Sequence, residues 1–362
     1  MPLKRYLIAW LSILGLISGP GPAGKPHHPA VQVWSGGVLH SATFGAKPEV
    51  RVEAPGHPPK IYALPEGARS YDLLQGTHYA LRVNTEGERR FYTLYRSGDL
   101  RKWEVDAFLE GGQAAVTGIY PTGPDRYLLA SLRGFQEGRS TSLFALFRKD
   151  ASGRLTQDRL VAFGGLGGPC LGQANSDSPL PMPSAALSPD CARLLALGAA
   201  SPIRVGEDLV WLLASRGLAW IWRAEARAFK GPFEVPPNLM LRPEERLGPR
   251  LDWVVLGARP TPSGSVVIAA RSRGAALASV EELGPGGTTL AEMKDPALRH
   301  RAEELFLTRL RQYPEILWWG LDPLTGSVQP LASPLNVAEA FRDPLEYGSF
   351  GFYLKPNGDL AF

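Results

Sequence analysis

Cysteine is nearly absent: Cys170 and Cys191 are the only two in 362 residues. This excludes a disulfide-dense scaffold, and neither has a His or a second Cys at ligand spacing, which excludes a structural zinc site built on them. In an exported chain a bridge closing the loop between them would contribute about 3 kcal/mol in the chain-entropy picture. Two separate buried thiols are the alternative, and sequence supplies no distance with which to choose. Histidine is scarce as well; the six do not cluster, and His27-His28 reads as part of a polar tail. No metal and no cofactor are expected. Runs of Lys or Arg are missing, as is any basic stripe interleaved with aromatics, and part of the net charge of +4 comes from Lys4 and Arg5. Nucleic acid is therefore not an expected partner. There is no G-x-S-x-G, and the "GLGG" at 165–168 follows a strand pattern with no helix after it, so it is not a phosphate loop.

Long apolar runs are also lacking, except at the amino end. There "MPLKRYLIAWLSILGLISGPGPAG" places Lys4 and Arg5 before an apolar run from Leu7 to Ser18, followed by small residues and Pro. That is the layout of a secretory signal, too short for a spanning helix, with cleavage expected after Ala23. The expected protein is thus exported, periplasmic or secreted, with residues 1–23 removed, no stable membrane span, and residues 24–362 forming one monomeric domain.

What the chain has in quantity is glycine (40) and proline (33), spread between apolar runs with no repeating triplet. Such residues punctuate a strand-rich protein. The segment after Ser70 reads as four strands, "SYDLLQ", "HYALRVN", "RFYTLYRS" and "WEVDAFL". Four more follow as "AAVTGIYP", "RYLLASLRG", "TSLFALFRKD" and "LTQDRLVAF". A third unit reads "SAALSP", "DLVWLLASRG", "LAWIWRAEARAF" and "GPFEV", with "CARLLALGAA" competing for its second strand. A fourth is "DWVVLGARP", "SGSVVIAARSR", "EILWWGLDP" and "GSVQPLAS". Pro followed by Asp, Ser or Asn precedes an apolar run in "PTGPDRYLLA", "LSPDCARLLA", "PTPSGSVVIA" and "LKPNGDLAF", a turn chemistry that recurs with the unit. A second turn recurs in "RKDASGRL" and "GLDPLTGSV".

Antiparallel quartets repeated around an axis make a β-propeller, which leaves only short, protected edges. The expected fold class is all-β, a propeller of four-stranded blades. Five blades result if the C-terminal "GFYLKPNGDLAF" completes a blade with strands near the amino end, and six if residues 31–65 hold more strands. One helical insertion is expected at about 289–313: Asp295-Pro296 is a cap signal, and Leu298, Ala302, Leu305, Phe306, Leu310 and Tyr313 share one face at helical spacing. It would pack on the propeller as a lid.

"SGDLRKW", with Ser97, Asp99 and Trp103, resembles the S-x-D-L-x-x-W pattern of five-bladed glycosidases of the arabinanase and fructosidase type. It is also similar to the Asp-box of sialidases, although its Trp comes one residue early and the Gly is missing. In those families the motif is structural and away from the catalytic centre, so the resemblance implies a fold. Its local task is to bond turn N–H groups through Ser97 and Asp99 while Trp103 fills the gap to the next blade.

Propeller ligands are expected where first strands begin and second strands end. Arg82, Arg133, Arg216 and Arg271 (or Arg273) stand at such second-strand ends, and thirty of the 39 basic residues are Arg. Converging guanidiniums would bind carboxylate, sulfate or phosphate through forked hydrogen bonds; salt-bridged or snorkelling arginines are the alternative. The acids near first-strand starts are Asp72, Asp252 and Glu346, the candidates for catalysis if glycoside hydrolysis occurs, which needs two carboxyl groups flanking one bond. Tyr71 and Trp253 beside them could stack on a sugar face or fill a seam between blades. The reading is an exported propeller binding a ligand at its mouth, an anionic small molecule or glycan, without demonstrable catalysis. A glycosidase- or sialidase-like hydrolase of acidic or furanose glycans, and a protein–protein scaffold in the cell envelope, are the alternatives.

Overall fold

The computed structural model describes residues 29–87, 89–111, 116–138, 140–162, 201–213, 218–235, 253–272, 295–297, 300–301, 316–332 and 352–361. The expected signal segment, Cys170, Cys191, Arg216, Arg273, Asp252 and Glu346 lie outside them. Among the described residues no helix is long and apolar enough to cross a membrane.

Among the described residues twenty-two strands follow one another. The first sheet holds β1 (Val31–Ser35), β2 (Val38–Thr43), β3 (Glu49–Glu53) and β4 (Lys60–Ala63) in chain order. The second holds β5 (Ala68–Leu74), β6 (Thr77–Glu86), β7 (Arg89–Ser97) and β8 (Glu104–Gly111). The third holds β9 (Val116–Gly123), β10 (Arg126–Glu137), β11 (Ser140–Lys149) and β12 (Leu155–Leu160). The fourth is β13 (Ile203–Val205), β14 (Asp208–Leu213), β15 (Leu218–Arg223) and β16 (Ala228–Glu234). The fifth is β17 (Trp253–Pro260), β18 (Val266–Ser272), β19 (Ile316–Leu321) and β20 (Val328–Leu331), and β21 (Tyr353–Leu354) pairs with β22 (Leu360–Ala361) as a ribbon. Every pairing within these sheets is antiparallel.

The recurrent turns produce this regularity. Thr261-Pro262-Ser263-Gly264-Ser265 and Lys355-Pro356-Asn357-Gly358-Asp359 close with the same pair of backbone bonds, and Gly264 and Gly358 sit at φ +81° and +86°, where a side chain would be strained. The Asp150 and Asp322 turns form the second type: each carboxylate accepts a backbone N–H two residues on, from Ser152 at 2.8 Å and from Leu324 at 2.9 Å.

Alternating side chains on both faces of each sheet fill the seams between neighbours. Val33, Val50, Tyr71 and Leu73 join the first sheet to the second, and Leu81, Tyr92, Ile119 and Leu129 join the second to the third. Trp211, Trp220 and Trp222, all at most 1% exposed, pack with Phe144 and Tyr120 between the third and fourth sheets. Phe144 and Tyr120 meet the Trp211 ring edge-on at 5.1 and 5.4 Å, an arrangement that the aromatic quadrupole favours. Val210, Ile221, Ile268 and Leu321 form the seam of the fourth and fifth sheets. With the inner strands β1, β5, β9, β13 and β17 gathered at one axis, the molecule is a propeller of five four-stranded blades.

The ring closes differently from expectation. Residues 31–63 complete a blade of their own, so among the described residues no blade is shared between the two ends of the chain. The C-terminal ribbon instead lies between the fifth and first sheets. Phe352 packs edge-on against Trp318 of β19 at 5.0 Å, and the Gln32 side chain on β1 both donates to the Leu354 carbonyl (3.0 Å) and accepts from its N–H (2.9 Å). Arg259 of β17 donates to the carbonyls of Phe352 (3.1 Å), Ala258 (3.0 Å) and Pro29 (3.2 Å), and burial lowers its pKa to about 10. In the third unit of the sequence the first strand is Ile203–Val205; "SAALSP" and "CARLLALGAA" lie outside the described residues.

The inserted helix also needs correction: among the described residues every regular element of the fold is a strand. Among the described residues, helical backbone occurs at Pro296, Ala297, His300 and Arg301, where the Asp295 carboxylate accepts from the Ala297 N–H at 2.9 Å. Capping and periodicity are local signals. They start a turn, whereas a stable helix in a protein depends on packing of its apolar face.

Candidate functional site

The axis is filled by an ion pair that spans three blades. Arg204, the middle residue of β13, sends Nε to Asp72 Oδ1 on β5 at 2.9 Å and Nη2 to Asp72 Oδ2, while Nη2 also donates to the Pro121 carbonyl of β9 at 2.9 Å. Its Nη1 bonds the Glu207 carbonyl at 2.9 Å, and the Leu73 N–H donates to Asp72 at 2.9 Å. Arg204 and Asp72 are 3% and 8% exposed, so this forked pair is desolvated. Asp72 is thereby engaged as a structural anchor and faces a guanidinium, with no second carboxylate opposite it among the described residues.

Next to it, three titratable groups meet in the seam of the first two blades. The Tyr71 hydroxyl lies 2.8 Å from Nδ1 of His78 and 3.3 Å from Nδ1 of His40, and the imidazole centroids are 5.3 Å apart. All three side chains are buried. Burial brings His40 down to about 4, helped by the neighbouring His78; burial likewise brings His78 to about 4 against the opposing pull of Asp99. Both rings are neutral at pH 7. Tyr71 is raised well above the ordinary phenol by burial and by Asp72. Among the described residues, no group of three or more His, Cys, Asp or Glu gathers as a metal cluster would.

The arginines chosen from sequence fall at one end of the sheets. Arg82 pairs in register with Ala68, the first residue of β5, and Arg271 pairs with Val254, the second residue of β17. Arg133 lies on β10 just past Ser131, which pairs with the first residue of β9, Val116. Arg82 is half-buried; its Nε donates to Asn84 at 2.9 Å, and no carboxylate among the described residues pairs with it. Trp253 opens β17. A cavity of about 150 Å³ lies at the other end of the inner strands, among the turns after β1, β13 and β17, with Trp34, Gly36, Arg204, Gly206, Pro262 and Gly264 in its wall. The cavity and the arginine end are separate places, and the Arg204–Asp72 pair lies between the blades at the axis.

The Ser97 turn follows its local logic. Ser97 Oγ accepts from the Leu100 N–H at 2.9 Å, and Asp99 Oδ1 accepts from those of Arg101 (2.9 Å) and Lys102 (3.2 Å). These bonds hold Leu100 at φ +64° with its side chain in the seam to the first blade, where Trp103 also packs and donates to the Ala63 carbonyl at 3.3 Å. Ser97→Ala leaves the Leu100 N–H without its acceptor; a loss of about 1 kcal/mol is expected in urea unfolding.

Sequence reasoning passed over Arg204, Arg259, Gln32, His40 and His78. Arg204 sits in a strand of three residues that reads as turn, and the two histidines are far apart in the chain. Only the His-plus-Tyr composition of adjacent strands could have flagged the latter.

No family model matches the chain, and no curated protein matches it. Among solved structures, Sqt1 of Saccharomyces cerevisiae is 10% identical, with 91% of this chain and 66% of that one covered at a TM-score of 0.31. The GH32 beta-fructofuranosidase BmSUC1 of Bombyx mori is 13% identical over 86% of this chain and 69% of its own, with a TM-score of 0.31; a variant of it in complex with sucrose gives 0.28 at the same identity and coverage. The fold is of the five-bladed propeller class. The class rests on the sheet order and the seams described above.

Proposed function

We propose that this is an exported binding propeller that takes an anionic ligand, a small molecule or an acidic glycan, at the end where second strands finish, without catalysis. The observation that supports this reading is Arg82, a half-buried guanidinium with no carboxylate partner among the described residues, placed at that end together with the backbone of Arg133 and Arg271. A half-buried charge left without a counter-ion favours an anion from outside. Export is supported by the amino-terminal leader pattern.

Hydrolysis is the competing function. Asp72 does not favour it: its carboxylate is held by two guanidinium nitrogens of Arg204, and among the described residues no second carboxylate stands opposite it. Binding of the mature protein to an array of sulfated and uronic-acid glycans is the test. Arg82→Ala is expected to weaken binding at least about tenfold, the scale of one charge-assisted hydrogen bond. Unchanged binding by the variant, or turnover of any arrayed glycan by the wild type, overturns the proposal.

A further inference from the structure

We propose that His40, Tyr71 and His78 form a three-coordinate site for a divalent transition-metal ion, bound through the two Nδ1 atoms and the phenol oxygen in the seam of the first and second blades. Two second strands and one first strand supply the donors: His40 on β2, His78 on β6 and Tyr71 on β5. The phenol oxygen lies 2.8 Å from Nδ1 of His78 and 3.3 Å from Nδ1 of His40.

Geometry suits an ion at the centre of that triangle. With metal–nitrogen bonds of about 2.0–2.1 Å and tetrahedral angles, donor atoms lie roughly 3.3 Å apart and coordinated imidazole centroids about 5.2 Å apart. The phenol oxygen lies 2.8 and 3.3 Å from the two nitrogens and the rings are 5.3 Å apart, so of these separations the Tyr71–His78 contact is the one that has to open.

Asp99, whose negative charge acts on His78, offsets part of a dication's cost in this seam, whereas Asp72 is already paired with Arg204. Ligation by the phenol releases its proton to solvent, leaving the bound metal, the phenolate and the two imidazoles with a net charge of +1. Mixed imidazole and phenolate donors suit Cu(II) and Zn(II), with Cu(II) held more tightly by the usual divalent order.

The test uses the full mature chain, stripped with EDTA and titrated with copper sulfate and zinc sulfate in a calorimeter. One equivalent of either ion is expected, with Cu(II) tighter, together with a rise in Tm. The Cu(II) protein should show hyperfine coupling to two nitrogens and a phenolate-to-copper absorption band. Tyr71→Phe should remove the band and keep nitrogen coupling, and His78→Gln should weaken Cu(II) binding at least tenfold. His27→Ala with His28→Ala, which removes the other adjacent imidazoles, should change nothing. Failure of the wild type to bind either ion overturns the site, as does binding lost only in the His27/His28 variant. The hyperfine pattern is read on the wild type, so it decides the matter even if a seam variant does not fold.

Discussion

Arg204→Met is expected to cost about 3–5 kcal/mol of stability, the scale for removing one partner of a buried ion pair. The loss would not come from the missing bonds alone. Asp72 would remain 8% exposed with its charge uncompensated, and the Pro121 and Glu207 carbonyls would each lose a donor. Because Arg204 reaches two other blades, its removal should loosen the axis as a unit. Asp72→Leu combined with Arg204→Met is expected to recover much of the loss, since a hydrophobic replacement of a buried pair is often neutral. Urea unfolding of the two single variants and the double variant forms the cycle. A single variant within about 1 kcal/mol of wild type, the scale of an ordinary hydrogen bond, would show that the pair does not hold the centre.

The second large effect belongs to the ribbon. Phe352→Ala removes a side chain that is 1% exposed, stands edge-on to Trp318 and lies 5.8 Å from the Arg259 guanidinium. A cost of about 3–5 kcal/mol is expected for an aromatic truncated to Ala in a packed interior. Its signature is location: β21 and β22 and the adjoining faces of β1 and β17 should lose hydrogen-exchange protection while the seam of the third and fourth blades keeps its own. A uniform loss over all five blades would mean that Phe352 supports the whole ring and not its closure.

How much of this could be read from the chain depends on the range of each signal. Turn chemistry is local, so the strands around Thr261-Pro262-Ser263-Gly264 and Asp322-Pro323-Leu324-Thr325-Gly326 were legible, and with them the quartets beginning at β5, β9 and β17. The quartet β1–β4 was only half visible. Its outer strands Glu49–Glu53 and Lys60–Ala63 expose charged and apolar residues alike and carry no clean alternation. Which strands share a blade at closure depends on pairing between the two ends of the chain, and no local pattern encodes it. The same limit hid the Arg204–Asp72 pair, whose members are 132 positions apart. Arg82 was singled out by its position within a repeated unit and not by a partner. The cap at Asp295 was legible for the same local reason, yet it could not tell whether a packed helix would follow.

Closure through Gln32, Arg259 and Phe352, with no strand exchanged between the termini, bears on how the chain is made. Each blade is contiguous in sequence, so the four strands of the amino-terminal quartet have their pairing partners in that sheet as soon as residue 63 leaves the ribosome. Vectorial synthesis can then lay blades down in order. The late step is docking of a short tail by side chains, which keeps the long-range, entropically slow contacts few.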